Sequence, residues 1–149
     1  MTLNIQFDPE LGLLEVLPGS LNIPAGSFKQ RDDIQTVTFS DDLESIDSNA
    51  FASCKNLTTL NLPDSLSSIG KEAFYAAFSL ESLVVPNGVV SIGDYAFQYG
   101  RSLQSVHIGE AVTSIGKRSF SNGCAERLAP GGFVDDHRRK GLLSQPTTP

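Results

Sequence analysis

The sequence predicts an α/β repeat solenoid of about five coils, and three observations predict it. Apolar residues recur in register at a step of 23 residues, short stretches within each unit alternate apolar and polar, and each unit closes on a small residue followed by Phe. Leu11, Ile34, Leu57, Leu80 and Leu103 form the first column. Leu14, Val37, Leu60, Leu83 and Val106 form the second, and Val16, Phe39, Leu62, Val85 and Ile108 the third. Ile23, Ile46, Ile69, Ile92 and Ile115 follow, then Phe28, Phe51, Phe74, Phe97 and Phe120. Self-similarity at a fixed period marks stacked units, none of which can bury its own apolar face alone.

Each element follows in order along a unit. The Leu60-x-Leu62 alternation is the period-2 signature of a short strand with one buried face. Pro63 and Pro86 follow their strands, where a missing N–H ends the ladder. Gly70, Gly93 and Gly116, each after Ile, read as turns that need a permissive backbone. Asp47 takes that place in the second unit, and Asp tolerates left-handed geometry better than most residues. The stretch Lys71-Glu72-Ala73-Phe74 suffices for one helical or 3₁₀ turn, not a long helix. Ser27, Ala50, Ala73, Ala96 and Ser119 precede the phenylalanines and leave room for the neighbouring coil.

The two ends depart from the pattern. In the first unit Pro24 stands where later units carry Gly, and Leu13 and Leu17 fall at positions expected to be exposed. Before it, over residues 1–10, Leu3, Ile5 and Phe7 alternate as in a capping strand. The repeats are expected over 11–125. A sixth unit would need apolar residues where Glu126, Ala129 and Gly131 stand, so 126–149 reads as an irregular or disordered tail. The rival reading folds Phe133, Val134, Leu142 and Leu143 back over the last coil as a cap. An uncovered end would expose backbone and apolar side chains, and two chains would then pair end to end as a homo-oligomer.

Bulk properties narrow the function classes. A chain of 149 residues suits one domain with a real core. The net charge is −6, and before residue 124 only Lys29, Arg31, Lys55, Lys71, Arg101, Lys117 and Arg118 face fourteen carboxylates. An acidic body without a basic stripe argues against nucleic acid and against an anionic membrane surface. No run approaches the ~18–20 apolar residues that insertion into a bilayer requires. The N-terminus MTLNIQFDPE carries no signal-peptide pattern. Cys54 and Cys124 read as free thiols.

Nothing in the chain assembles a catalytic or metal constellation, and no cofactor is expected. His107 lies between Val106 and Ile108 and points out of the core, where a lone His is a surface contact. His137, within Asp135-Asp136-His137-Arg138-Arg139, offers metal ligands only in the irregular tail. Cys54 suits a buried position with no nearby His to activate it. No phosphate-cradling glycine loop or serine elbow is present.

The pattern L-x-x-L-x-L-P-x-x-L-x-x-I-G-x-x-A-F-x-x-C-x-x-L, matched over about residues 11–123, resembles the BspA-like, or Treponema-type, class of leucine-rich repeats. The Cys of that pattern falls on Cys54, while Ala77, Gly100 and Gly123 take the equivalent places. The resemblance implies a curved, right-handed solenoid with a parallel sheet on its concave face. It also implies a cell-surface or secreted protein that acts in adhesion or protein binding.

A parallel ladder would turn two columns toward the concavity. One is Glu15, Thr38, Asn61, Val84 and His107, and the other is Leu13, Thr36, Thr59, Ser82 and Ser105. The core does not dictate these positions, so they are the expected site for a protein partner. Adhesion to a carbohydrate is weaker, because this face lacks aromatic platforms. Tyr75, Tyr95 and Tyr99 lie on the opposite side, either as a second patch or packed between neighbouring coils.

Overall fold

The computed structural model describes residues 3–123, so Cys124, His137 and the expected tail at 126–149 lie outside the described residues. The chain enters through β1 (Ile5–Asp8), β2 (Leu13–Val16) and β3 (Asn22–Ile23). Longer and two-residue strands then alternate as β4 (Thr36–Phe39), β5 (Ser45–Ile46), β6 (Thr59–Asn61) and β7 (Ser68–Ile69). The series continues with β8 (Ser82–Val85), β9 (Ser91–Ile92), β10 (Ser105–Ile108) and β11 (Ser114–Ile115). The longer strands from β2 to β10 start 23 residues apart, so four full circuits separate the first from the last.

Three ladders hold the coils. The first runs β1-β2-β4-β6, with β1 antiparallel to β2 and the rest parallel; the second pairs β8 with β10 in parallel. β6 and β8 follow one another without a ladder between them. The third sheet stacks β3, β5, β7, β9 and β11, and it continues across that interruption through the β7–β9 pair. The sequence marks no strand at these Asn-Ile and Ser-Ile stretches. Two residues are too few for an alternation to show.

The expected α/β character is not found: among the described residues there is no helix. The segment after each short strand is instead an arc of successive turns. Ser27, Lys29 and Arg31 donate their N–H to Pro24, Gly26 and Phe28 three residues back. Between them, Gly26, Phe28 and Gln30 donate to Ser48, Ala50 and Ala52 of the next coil, at 2.7–3.0 Å. Glu72, Phe74 and Ala76 do the same to Asp94, Ala96 and Gln98. A continuing helix would direct every N–H beyond its first turn into its own segment, so the alternation with the neighbouring coil would be lost.

Alternation demands left-handed residues at fixed places. Positive φ recurs at Gly26, Asn49, Glu72, Tyr95 and Arg118, and again at Gln30, Ser53, Ala76, Tyr99 and Asn122. Each non-Gly case costs roughly 1–2 kcal/mol. The inter-coil bonds, roughly 1 kcal/mol each, and the burial of the intervening Phe offset that cost.

The core runs the length of the stack. Phe28, Phe51, Phe74, Phe97 and Phe120 are buried in one column, with ring centroids 5.2–5.3 Å apart. The isoleucine column is buried throughout, and Leu43, Leu66, Val89 and Val112 add another. Leu11 departs from its expected column and is 62% exposed. It sits in the β1–β2 turn, where Asp8 Oδ1 accepts the Glu10 and Leu11 N–H groups. Gly12 in that turn has φ +64°, and a Cβ there would lie 2.9 Å from the Asp33 carbonyl oxygen. Ser20 replaces the apolar residue of the Leu43 column; Asn4 N–H donates to its Oγ at 2.7 Å, tying the N-terminal strand to the first coil.

Gly70, Gly93 and Gly116 serve contact rather than φ, since none has a positive value. Added Cβ atoms would fall 2.8 Å from Asp47 C, 2.5 Å from Lys71 N and 2.3 Å from Asp94 N of the preceding coil. Pro24 in the first coil has no earlier coil of this kind beneath it, which explains its tolerance there. Asp47 makes the same bond as the glycines, donating N–H to Ile23 as Gly70 does to Ile46.

Gly93→Ala is expected to lose about 2 kcal/mol or more, because the clash is with backbone. Gly26→Ala, whose Cβ would meet nothing within 4 Å but whose φ is +69°, should lose only about 1 kcal/mol. Urea denaturation of both variants checks this, and equal losses would contradict the assignment of Gly93 to contact. Phe74→Ala should cost about 3–5 kcal/mol in the same assay.

Candidate protein-binding face

The strand register brings the expected site residues into rows. Leu13 lies beside Thr36 and Thr36 beside Thr59, while Glu15 lies beside Thr38 and Thr38 beside Asn61. Beyond the interruption Ser82 pairs with Ser105 and Val84 with His107. Along each strand the intervening residues, Leu14, Val37, Leu60 and Leu83, are buried. The pleat therefore turns these two columns outward, because successive side chains leave a strand on opposite sides.

Exposure divides the face. Leu13, Glu15, Thr36 and Thr38 are half-buried, whereas Thr59, Asn61, Ser82, Val84, Ser105 and His107 are exposed. Val84 is 59% exposed, the largest apolar exposure on these strands. The accessible part thus straddles the gap between β6 and β8, with Asn61 on one side and Val84 on the other. Hydroxyl, carboxamide, imidazole and isopropyl groups are arrayed there on backbone that the core holds. Such a set suits non-covalent contact.

The remaining candidates are placed elsewhere. Cys54 is buried, its S–H donating to the Phe28 carbonyl at 3.1 Å. Burial pushes its thiol up from 9.0 to about 11, so it is held as the unreactive thiol. Tyr75 and Tyr99 meet edge to face at 5.5 Å across neighbouring coils, and both are half-buried. Arg101 lies over the Phe78 ring at 4.6 Å and over Tyr99 at 5.9 Å. Lys117 lies 5.9 Å from the Tyr95 centroid. Among the described residues no group of three or more His, Cys, Asp or Glu could hold a metal, and no helix is long and apolar enough to cross a membrane.

Two polar clusters shape the margins. Arg31 binds Asp33 at 2.8 Å and 3.0 Å, and that hydrogen bond holds the Asp33 carboxyl below its usual range. Asp42 is lowered too, first by the Ser40 hydroxyl and then by the Gly19 N–H. Sequence reasoning missed the exposed Val90 and Leu21, which share a column with Glu44, Ser67 and Thr113. That column mixes apolar and polar residues, so no periodic signal marks it.

Over residues 21–129 the chain matches the BspA type leucine rich repeat region, in six copies. No curated protein matches. Among solved structures, the pneumococcal vaccine antigen PcpA is 24% identical with a TM-score of 0.67, over 74% of this chain and 28% of that one. A leucine-rich repeat protein of Bacteroides ovatus is 26% identical with a TM-score of 0.66, over 79% and 37%. A leucine rich cell surface protein of Faecalibacterium prausnitzii is 26% identical with a TM-score of 0.59, over 69% and 34%. The chain therefore spans about a third of the length of these proteins.

The Cys54 environment makes a pH prediction. A thiol raised in the folded state contributes stability that is present below its ordinary value and lost as pH rises toward the folded one. Stability should accordingly fall between pH 9 and about 11. Cys54→Ala should lack that part of the decline in parallel thermal melts. Alkylation at pH 8 followed by peptide mapping should label Cys54 only after denaturation.

Proposed function

We propose, from the premise that this chain belongs to the BspA-type leucine-rich repeat family, that it is a non-enzymatic binding module whose outward strand face takes a protein partner. The observation that carries the reading is the row of core-independent side chains, Thr59, Asn61, Ser82, Val84, Ser105 and His107, exposed together on a rigid stack. Glu15, Thr36 and Thr38 extend the row with less exposed surface. A right-handed coil with this face concave belongs to the same reading, as does the division into a cap at 1–10, repeats at 11–125 and a tail at 126–149. So does a place at the cell surface, supported by the likeness to the Faecalibacterium prausnitzii cell surface protein.

Size limits the strength of binding. Strands sit ~4.8 Å apart, so the five longer strands span about 20 Å. Small side chains over that width fall short of the ~800 Å² per partner of a standard interface. Affinity through this face alone should be roughly micromolar, and avidity or a longer repeat array would raise it.

The test compares wild type with a variant carrying Asn61→Lys, Val84→Lys and His107→Lys in a pull-down from the source lysate, read by mass spectrometry. The expected result is a partner held by wild type and lost by the variant. Equal recovery of the partner by both would refute the face. Recovery of the protein's own chain alone would replace the reading with assembly into a homo-oligomer through the solenoid ends.

A further inference from the structure

Each circuit has two halves of opposite electrostatic character. One half runs from the start of a longer strand to the end of the following short strand, covering 13–23, 36–46, 59–69, 82–92 and 105–115. It holds Glu15, Asp41, Asp42, Glu44, Asp64 and Glu110 and not one Lys or Arg. The other half carries the arc, and all seven lysines and arginines of residues 3–123 lie there among six carboxylates. Random placement on two nearly equal halves would mix the signs. The strand half therefore presents an uncompensated negative field beside a nearly neutral arc.

The strand half also exposes apolar surface, as does Leu11 in the β1–β2 turn before it. Val84 and Val90 are 59% and 47% exposed, one on the strand face and the other on the column before β9. The exposed carboxylates Asp41, Asp64 and Glu110 occupy one position of successive circuits, with Asn87 between the last two. They follow the strand ends by two or three residues, so they rim the outward face. The Arg31–Asp33 ion pair lies in the arc half, and no ion pair among the described residues involves Asp41, Asp64 or Glu110.

Resting on the reading of the strand face as a docking surface, we infer that its occupant is a cationic polypeptide segment. Its lysines or arginines face Asp41, Asp64 and Glu110, and its apolar residues cover Val84. Circuits ~4.8 Å apart place the carboxylates about one and two strand spacings from each other. Along an extended segment lying across the strands, at ~3.3 Å per residue, those separations correspond to about one and a half and about three residues. Exposed charges of this kind act on partner choice and association rate, and their effect falls with salt.

The probe is a synthetic peptide repeating Lys-Lys-Leu-Leu, which puts Lys and Leu on the same side of an extended backbone, titrated into the ¹⁵N-labelled full chain and followed by amide chemical shifts. A Glu-Leu peptide of equal length is the control. Shifts are expected at Asn61, Val84 and the three carboxylate turns, weakening as salt rises. Asp41→Asn with Asp64→Asn and Glu110→Gln should reduce affinity about tenfold while leaving the melting temperature unchanged. Shifts confined to the arc, equal shifts with the Glu-Leu peptide, or unaltered affinity in the neutralised variant would each overturn the inference. A partner lost by the Asn61, Val84 and His107 variant, but bound equally well after neutralisation, would overturn the charge argument alone and leave the face intact.

Discussion

The distance between coils is set by backbone hydrogen bonds, and every other feature has to fit inside it. Strand pairing and the arc bonds of 2.7–3.0 Å hold neighbouring backbones at one spacing along most of the stack. The phenylalanine rings stack at 5.2–5.3 Å because the coils carrying them repeat at nearly that interval. Gly93 follows from the same constraint, since the backbone beneath it lies where a Cβ would be. The core is thus a set of columns, and each residue type is chosen by what lies directly above and below it.

That constraint also explains the unusual backbone. An arc that shares alternate N–H groups with the next coil must turn left-handed at two places per circuit. Asn49, Glu72, Tyr95 and Arg118 accept this at one of them, and Ser53, Ala76, Tyr99 and Asn122 at the other. No single residue type is selected, because the conformation is imposed by bonds on both sides rather than by local preference. The chemistry of Cys54 is subordinate to the same packing: buried and donating to the Phe28 carbonyl, it behaves as a core residue.

The strand face is what remains once the columns are filled. Alternation along β6, β8 and β10 leaves their outward residues free of packing duties, and the rigid stack fixes their spacing. Charge is sorted around the same cross-section, with carboxylates rimming the strand side and cations kept to the arc. A surface that is small, mostly uncharged at its centre and acidic at its rim favours selectivity over raw affinity.

The amino-acid sequence by itself determined the repeat, its 23-residue step, and the positions of the isoleucine and phenylalanine columns, because burial in a stack demands the same apolar residue at the same phase. It likewise determined which strand residues point away from the core. Leu11 escaped that logic, since its neighbours draw it into a turn with Asp8 rather than into the stack. Tertiary structure alone decided the arc in place of a helical turn, the third sheet through Ile46 and Ile69, and the break between β6 and β8. Each of these depends on where an N–H finds its acceptor in the next coil, 23 residues away, and backbone groups are identical in every residue but proline, so no pattern of side chains records the choice.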